Sequence, residues 1–218
     1  MRMKSLVLIP TTLICSALAF AQDSPPRVEL YGDYSYIQFN PSVTGLPSRA
    51  LNGGGAGVQV NFAKYFGIKG DFQGYGSTKF TETLTGPTVT PHNGTIPAGT
   101  YSSTGDMFTY LFGPTLGTHV KRVNVYGEIL FGGSYTNAYA SLIKTIDAGG
   151  GTIKAAADQH PFTMAFGGGV DLKINKNVSL RLAELDYLIT RYTNPLTSTN
   201  NQNNFRYLGG VVFTFGAQ

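Results

Sequence analysis

The sequence predicts an all-β protein, a closed eight-stranded antiparallel up-and-down barrel whose strands cross a membrane. Three observations predict it: segments of alternating polarity, an aromatic composition poor in charge, and connections of alternating length. The clearest segment is the last, Asn204–Gly216. Its outer face is expected to carry Phe205, Tyr207, Gly209, Val211, Phe213 and Phe215. Alternation with aromatics at both ends, over about the 9–11 residues that a tilted strand needs, is typical of a membrane-spanning strand.

The composition limits how the chain could enter a membrane. Only 13% of residues are charged, about half the level of a soluble domain, and the sequence has 28 Gly, 13 Tyr, 14 Phe and no Trp. After residue 21 no apolar run is long enough for a membrane helix. A chain of this kind can place its backbone in lipid only as a closed sheet.

The first 21 residues, Met1–Ala21, are predicted to be a secretory signal peptide, which leaves residues 22–218 as one barrel domain. A basic start is followed by the apolar stretch Leu6–Phe20 and the small-x-small site Ala19–Ala21. The stretch is too short for a membrane anchor, and Ile14 before Cys15 is too bulky for a lipoprotein site. Because this cysteine is the only one, the mature chain is expected to have no disulfide and no thiolate chemistry.

Net charge argues against nucleic acid as a partner. Without Arg2 and Lys4 of the signal peptide, 14 of the 16 basic residues remain against 12 acidic ones, and they do not cluster along the sequence.

Eight strands are predicted along the chain, separated by connections that alternate in length. The strands are Arg27–Phe39, Leu51–Phe62, Phe66–Phe80, Asp106–Thr118, Val123–Thr136, Pro161–Ile174, Val178–Tyr192 and Asn204–Gly216. The short turns are Ala63–Tyr65, His119–Arg122 and Asn175–Asn177; the long connections are Asn40–Ala50, Thr81–Gly105, Asn137–His160 and Arg191–Asn203. Membrane barrels have short periplasmic turns and long external loops, so both termini are expected in the periplasm.

The seventh predicted strand breaks the alternation. Arg181 has opposite parity to Glu184 and Asp186, and a regular strand would push one set into lipid at a cost of about 2–4 kcal/mol per charge at the midplane. We therefore predict a β-bulge near Leu182–Glu184 that points all three inward.

The whole mature chain resembles the small eight-stranded outer-membrane barrels of the OmpA and OmpX type. The resemblance rests on the signal peptide, the alternating strands, Phe112-Gly113-Pro114, Asp186-Tyr187 and the aromatic last strand. It implies a bacterial outer-membrane location, a monomer surrounded by lipid, and recognition by the barrel-insertion machinery. The expected insertion signal is Tyr207, Val211, Phe213 and Phe215, shifted inward by the last three residues. No peptidoglycan-binding domain follows, so the anchoring role of longer relatives is not expected.

The candidate functional residues are the charges of the polar strand faces. They are Glu29, Asp33, Lys69, Asp71, Glu128, Asp171, Lys173, Arg181, Glu184, Asp186 and Arg206. An eight-stranded barrel is just wide enough for its side chains to fill, so we expect these charges to pair and plug the lumen. A narrow, weakly conducting pore is the alternative.

Other patterns are weaker. The runs Gly53–Gly55 and Gly167–Gly169 lie in no βαβ unit, so no phosphate-binding loop or cofactor is expected. His92, His119 and His160 suggest no metal site. His160 beside Ser134 or Ser141 keeps a lipid-hydrolysing enzyme open as an alternative, although no Gly-x-Ser-x-Gly element supports it.

The expected function is therefore non-enzymatic, a structural or surface-contact role in the cell envelope. The external loops are rich in Thr, Ser, Asn, Gly and Pro. They are expected to form either a mobile, solvated surface or a site for an extracellular ligand. A soluble, lipocalin-like barrel is a further alternative, which would place Phe162, Phe166, Phe213 and Phe215 around an internal cavity.

Overall fold

The structure is a computed structural model that describes residues 27–40, 49–89, 95–151, 160–192 and 202–216. The elements are β1 (Arg27–Phe39), β2 (Arg49–Asn61), β3 (Phe66–Leu84), β4 (Thr88–Val89), β5 (Thr95–Ile96), β6 (Gly99–Val120), β7 (Val123–Thr136), α1 (Ala138–Ala148), β8 (Phe162–Lys173), β9 (Val178–Thr190) and β10 (Gln202–Phe215). In these ranges, no helix is long and apolar enough to cross a bilayer. The predicted signal peptide lies outside the described residues.

Eight of the strands form one closed barrel, in the order β1-β10-β9-β8-β7-β6-β3-β2. All neighbours are antiparallel, and β1 closes the barrel by pairing with β10 on one side and β2 on the other. The last strand pairs along nearly its whole length, from Val28 opposite Phe215 to Gln38 opposite Phe205. The predicted fold class is confirmed.

The predicted β-bulge is present in β9. Val170 of β8 pairs with Ala183, but the next residue, Asp171, pairs with Arg181, so Leu182 is extra. The register between β9 and β10 shifts at the same place. Leu182 points outward and is exposed, whereas Arg181 and Glu184 are both buried inside. The prediction is confirmed, and its cause is the cost of placing either charge in lipid.

An apolar band covers the outside of the barrel. Its exposed side chains include Leu30, Ile68, Phe72, Phe108, Phe112, Leu116, Ile129, Phe131, Phe162, Phe166, Leu180, Leu185, Phe205, Phe213 and Phe215. So large an exposed apolar surface is stable only against another apolar phase. The soluble, lipocalin-like alternative is wrong, because its four cavity-lining phenylalanines all face outward.

The connection expected at Thr81–Gly105 is mostly sheet. β3 continues to Leu84 and β6 begins at Gly99, and these two residues pair with each other. β4 and β5 form a small hairpin beyond them, with Thr88 opposite Ile96. The predicted strand boundaries at Phe80 and Asp106 are wrong because the polar, threonine-rich stretch was taken for a loop. Threonine is β-branched and favours strands.

Helix α1 lies in the connection expected at 137–160 and was not predicted. Asn137 holds its start to β6, because its side-chain Oδ1 accepts a 2.8 Å hydrogen bond from the Asp106 backbone NH. The Thr145 hydroxyl donates to the Ser102 carbonyl at 2.9 Å, and Ile146 is buried. The helix, β4, β5 and the outer ends of β3 and β6 (residues 81–84 and 99–105) form what we call the extracellular platform.

Pro114 is accommodated within β6. It lies opposite Ile68 of β3, but the pairing of β6 with β7 passes from Phe112–Phe131 directly to Thr115–Glu128. The proline therefore occupies a gap in the β6–β7 ladder, where no backbone donor is needed.

Candidate functional site: the charged barrel interior

The structure places nine of the eleven predicted lumen charges in the barrel interior, each no more than 7% exposed: Glu29, Lys69, Asp71, Glu128, Asp171, Arg181, Glu184, Asp186 and Arg206. Asp33 is half-buried on the same side of β1. Lys173 is half-buried at the periplasmic end of β8. Eight of the nine buried charges form one connected cluster, which we call the ion network; the exception is Glu29, which accepts a hydrogen bond from Asn61 instead.

Arg206 joins carboxylates from opposite sides of the lumen. Its Nη1 lies 2.6 Å from Asp71 Oδ2, and its Nη2 and Nε lie 2.7 and 2.9 Å from Asp186 Oδ2. Asp186 is its register partner on β9, but Asp71 is on β3. A buried guanidinium that bonds two carboxylates fixes the distance between the strands that carry them.

Glu184 is the most connected residue of the ion network. Its Oε2 accepts hydrogen bonds from Lys69 Nζ at 2.6 Å, from Arg181 Nη1 at 2.8 Å and from the Tyr126 hydroxyl. Lys69 also lies 2.9 Å from Glu128 Oε2, and Arg181 Nε lies 3.0 Å from the Asp171 carboxylate. Side chains from β3, β7 and β9 therefore meet at one carboxylate, and Arg181 links it to Asp171 of β8.

Two tyrosines complete the ion network and were not among the predicted site residues. The Arg181 guanidinium lies 4.5 Å from the ring centroid of Tyr31 and 5.1 Å from that of Tyr126. Lys69 Nζ lies 5.0 Å from the Tyr31 centroid and 5.6 Å from the Tyr126 centroid. The Tyr31 hydroxyl donates to Asp71 at 2.9 Å. The signal was present in the sequence, because both tyrosines share the face of charged residues. Their rings stabilise the two cations by cation–π interaction.

Two glycines leave room for these tyrosines. A Cβ atom at Gly57 would overlap the Tyr31 hydroxyl and the Gly70 carbonyl oxygen; one at Gly169 would overlap the Tyr126 hydroxyl. The second position belongs to the run Gly167–Gly169, whose expected role was in strand geometry rather than phosphate binding. The glycines here allow a ring to lie flat against the neighbouring strand.

We expect Gly57→Ala to lower the free energy of unfolding by about 1–3 kcal/mol, since the added methyl displaces the Tyr31 ring and crowds a backbone oxygen. Urea titration of the detergent-folded barrel, followed by circular dichroism, measures this. Gly76→Ala is the matched control, because a Cβ at Gly76 in β3 would meet no atom within 4 Å. Equal stability of the two variants would contradict the packing described above.

An apolar cluster fills the interior on the extracellular side of the ion network; we call it the apolar layer. Its buried members are Ile37, Leu51, Tyr75, Met107, Leu111, Leu130, Ala165, Leu188 and Tyr192. On β7 and β9, Leu130 and Leu188 lie two residues further out than Glu128 and Asp186. The charges alone were expected to plug the lumen, and this apolar layer was not predicted, although the alternation places its residues on the inner face.

Three carboxylates of the ion network lie close enough to hold a cation: Glu128, Glu184 and Asp186 each offer an oxygen within 4.8 Å of the others. The Lys69 ammonium already bonds the first two, at 2.9 and 2.6 Å, so lysine supplies the positive charge that a metal would bring. The ion network contains five carboxylates and three cations. Loss of a cation is therefore more costly than loss of a carboxylate.

Of the residues in the lipid-hydrolysing alternative, the two whose side chains the structure describes, Ser134 and His160, do not form a catalytic pair. Ser134 is buried on the inner face of β7, where its hydroxyl is 2.7 Å from that of Thr163. His160 is exposed and stacks on Tyr135, with ring centroids 4.9 Å apart. Ser134 and Tyr135 point to opposite faces of β7, so the histidine lies on the wrong side for this serine. The side chain of Ser141, like His92, lies outside the described part of the structure.

The residues predicted as the insertion signal lie on the outer face of β10. Val211, Phe213 and Phe215 are exposed, and the Tyr207 hydroxyl donates to the Leu182 carbonyl at 3.0 Å. An insertion machinery that approaches this strand from the lipid side would meet all four. Their role as a signal stays a prediction.

Similarity to known proteins agrees with the fold. The sequence profile of the outer membrane protein beta-barrel domain family matches residues 7–217. No curated protein matches the chain by sequence. Among solved structures, Neisserial surface protein A has 11% identity and a TM-score of 0.55, covering 86% of this chain and 97% of that one. OprG from Pseudomonas aeruginosa has 12% identity and a TM-score of 0.53, covering 91% and 100%.

A third similar structure is Ail, the attachment invasion locus protein of Yersinia pestis, in complex with the heparin analogue sucrose octasulfate. It has 11% identity and a TM-score of 0.51, and the match covers 87% of this chain and 99% of that one. Identities this low show the fold alone, whereas the family profile spans almost the whole sequence. The chain belongs to the outer membrane protein beta-barrel domain family and is a bacterial outer-membrane barrel.

Proposed function

We propose that this protein is a non-enzymatic outer-membrane barrel with a closed lumen, which serves envelope structure or surface contact as a monomer. The observation that carries the proposal is the filling of the interior by two successive layers. An ion crossing the barrel would have to break the bonds of Glu184 and Arg206 and then pass Leu111, Leu130 and Leu188, which are fully buried. All eight strands pair within one chain, so no partner is needed to close the sheet.

The filled interior argues against the narrow-pore alternative. Two polar depressions lie at the periplasmic mouth, both lined by Arg27, Glu29 and Asn124, one also by Tyr126 and the other by Asp171. Beyond these residues the buried cations have carboxylate partners within 3.1 Å, and the apolar layer follows. Apolar constrictions exclude water as well as ions.

A liposome-swelling assay tests the closed lumen. We expect the wild-type barrel to admit no more sugar or amino acid than protein-free liposomes do. The positive control is designed to open a path through both layers, by Leu111→Ser, Leu130→Ser and Leu188→Ser together with Lys69→Ser and Glu128→Ser. Folding of each protein is verified by its heat-modifiable mobility on SDS gels. Swelling with the wild type at a rate above the protein-free background would refute the proposal.

The absence of catalysis is supported by the position of His160, which stacks on Tyr135 and therefore lies beside the face of β7 opposite to Ser134. We expect His160→Ala to leave the lipid composition of producing cells unchanged relative to the wild type and to cells without the protein. A lipid product that appears with the wild type and disappears with this variant would instead establish an enzyme.

The extracellular platform supports a role in surface contact. It is built by packing, with Ile96, Tyr101 and Ile146 buried and a 2.8 Å hydrogen bond from the Tyr101 hydroxyl to the Pro97 carbonyl. Described extracellular positions carry four basic residues and three acidic ones: Arg49, Lys79, Lys144 and Arg191, and Glu82, Asp106 and Asp147. This near balance does not favour a polyanion such as the heparin analogue bound by Ail.

Cell adhesion tests the contact role. Leu84 and Gly99 are paired residues, so an Asn-Gly turn can replace residues 85–98 and close the hairpin without disturbing the barrel. We expect cells with the wild type to adhere to an uncoated surface more than cells with this shortened barrel. Coating the surface with heparin should not increase the adhesion of wild-type cells. Equal adhesion at equal outer-membrane levels would remove the contact role and leave the structural one.

We further propose that the outer face of β10 is read by the barrel-insertion machinery. Phe213→Ser with Phe215→Ser should reduce the amount of folded barrel in the outer membrane several-fold. The matched control is Phe131→Ser with Phe162→Ser, which removes two equally exposed outward aromatics from β7 and β8. Equal loss in both variants would mean that apolar area, and not position on β10, decides insertion.

A further inference from the structure

The periplasmic connections of the barrel carry only basic charge. Lys64 lies in the β2–β3 turn, Lys121 and Arg122 form the β6–β7 turn, and Lys176 lies in the β8–β9 turn. Arg27 and Lys173 are at the periplasmic ends of β1 and β8. No acidic residue lies in these turns. Glu29 and Asp171, the nearest carboxylates, are buried inside the barrel and bonded to Asn61 and Arg181.

These cations lie at the boundary of the apolar band. Each turn is flanked by exposed apolar side chains on the outer face: Phe62, Tyr65 and Phe66 around Lys64, Val120 and Val123 around the second turn, and Ile174 before Lys176. The Lys64 ammonium lies 5.1 Å from the Tyr65 ring centroid, so its aliphatic chain follows the barrel wall. A ring of cations directly beside hydrocarbon-facing residues is at the depth of the lipid headgroups.

We propose that the four turn cations Lys64, Lys121, Arg122 and Lys176, which we call the periplasmic ring, bind acidic glycerophospholipids of the inner leaflet. The recognised group is the phosphodiester of a lipid with net negative charge. The extracellular side has no such excess, with four basic positions against three acidic ones among the described residues. Basic side chains near an anionic surface attract its lipids electrostatically, so the four turn cations can enrich acidic lipid around one leaflet of the barrel.

A cell-wall polymer is the competing anionic partner, and position argues against it. The four ring cations lie in three separate turns, and each turn is flanked by lipid-facing residues. A polymer that docks from the periplasm would instead contact side chains that project along the barrel axis. The depression at the lumen mouth, which Lys121, Arg122 and Lys176 line together with Arg27 and Lys173, also contains Glu29 and Asp171, whose negative charge disfavours a polyanion.

The test measures lipid selectivity of the folded barrel. Wild-type protein is reconstituted in phosphatidylcholine membranes, and spin-labelled phosphatidylglycerol and phosphatidylcholine report the motionally restricted lipid at its surface. The ring variant removes the turn cations by Lys64→Gln, Lys121→Asn, Arg122→Gln and Lys176→Gln. Asparagine is chosen at Lys121 because this residue has a φ of 57°, which asparagine tolerates. The control variant removes the same number of positive charges from the extracellular side, by Arg49→Gln, Lys79→Gln, Lys144→Gln and Arg191→Gln.

We expect the wild type and the control to prefer phosphatidylglycerol about two- to threefold, the ring variant to show no preference, and molar salt to abolish the preference of the wild type. No preference in the wild type, or an equal preference in the ring variant, would overturn the proposal. Ring-dependent sedimentation with purified peptidoglycan sacculi, without lipid selectivity, would assign the ring to the cell wall instead. The salt dependence of the wild type tests the proposal even if the ring variant folds poorly.

Discussion

Arg206→Met should lower the free energy of unfolding of the barrel by about 3–5 kcal/mol, since it removes one partner of a buried ion pair. The guanidinium is fully buried and bonds Asp71 at 2.6 Å and Asp186 at 2.7 Å. Without it, two buried carboxylates stay in an interior that has too few cations. Urea titration of the folded protein in detergent, followed by circular dichroism because the chain has no Trp, measures the change.

Two further variants separate this effect from lost packing. Lys79→Met, at an exposed extracellular position, is the matched control and should change stability by less than about 0.5 kcal/mol. Combining Arg206→Met with Asp71→Asn and Asp186→Asn removes the unpaired charges and should recover much of the loss. If the triple variant is as unstable as the single one, the cost arises from the missing side-chain volume and not from charge.

Lys69→Met should be much more destabilising than Glu128→Gln, although the two substitutions remove opposite ends of the same 2.9 Å ion pair. The lysine variant leaves Glu128 and Glu184 together without their ammonium partner, at a cost of about 3–5 kcal/mol. The glutamine variant keeps a hydrogen-bond acceptor for Lys69, whose bond to Glu184 remains. Its cost should be about 1.5 kcal/mol, the contribution of one hydrogen bond to a charged group.

The asymmetry follows from the excess of carboxylates in the ion network. It is measured by comparing the two unfolding free energies at the same pH and ionic strength. An equal loss of stability in both variants would mean that Lys69 and Glu128 contribute as an isolated pair, in which either substitution leaves one unpaired charge. A greater cost for the glutamine variant would contradict the charge balance described for the interior.

Residues within one strand were predictable where a single physical rule decides their position. Alternation placed Glu128 inside and Ile129 outside, and the cost of charge in lipid required the bulge at Leu182. The partners of these charges were not predictable. Arg206 and Asp71 are separated by 135 residues and meet only because the closed sheet brings β3 opposite β10. Which strands face each other across a lumen depends on strand tilt and stagger, which polarity patterns do not contain.

The apolar layer and the extracellular platform were missed for different reasons. The alternation of the strands places Leu111, Leu130 and Leu188 on the inner face, together with polar residues. Their packing against one another was not predictable, because it depends on the closed barrel. Helix α1 had a local signal, because Ala138–Ala148 contains several strong helix formers after Asn137. The extended ends of β3 and β6 are rich in threonine, and polarity alone does not distinguish an exposed strand from a loop.

Conductance of the refolded wild-type protein in a planar lipid bilayer tests the closed lumen most directly, since small ions can pass where the solutes of a swelling assay cannot. Insertion is verified in the same membranes by heat-modifiable mobility of the recovered protein. With the ion network and the apolar layer both in place, we expect no discrete current steps across a range of voltage and salt. Steps that appear with folded protein and vanish after heat denaturation would contradict a closed interior and establish a pore.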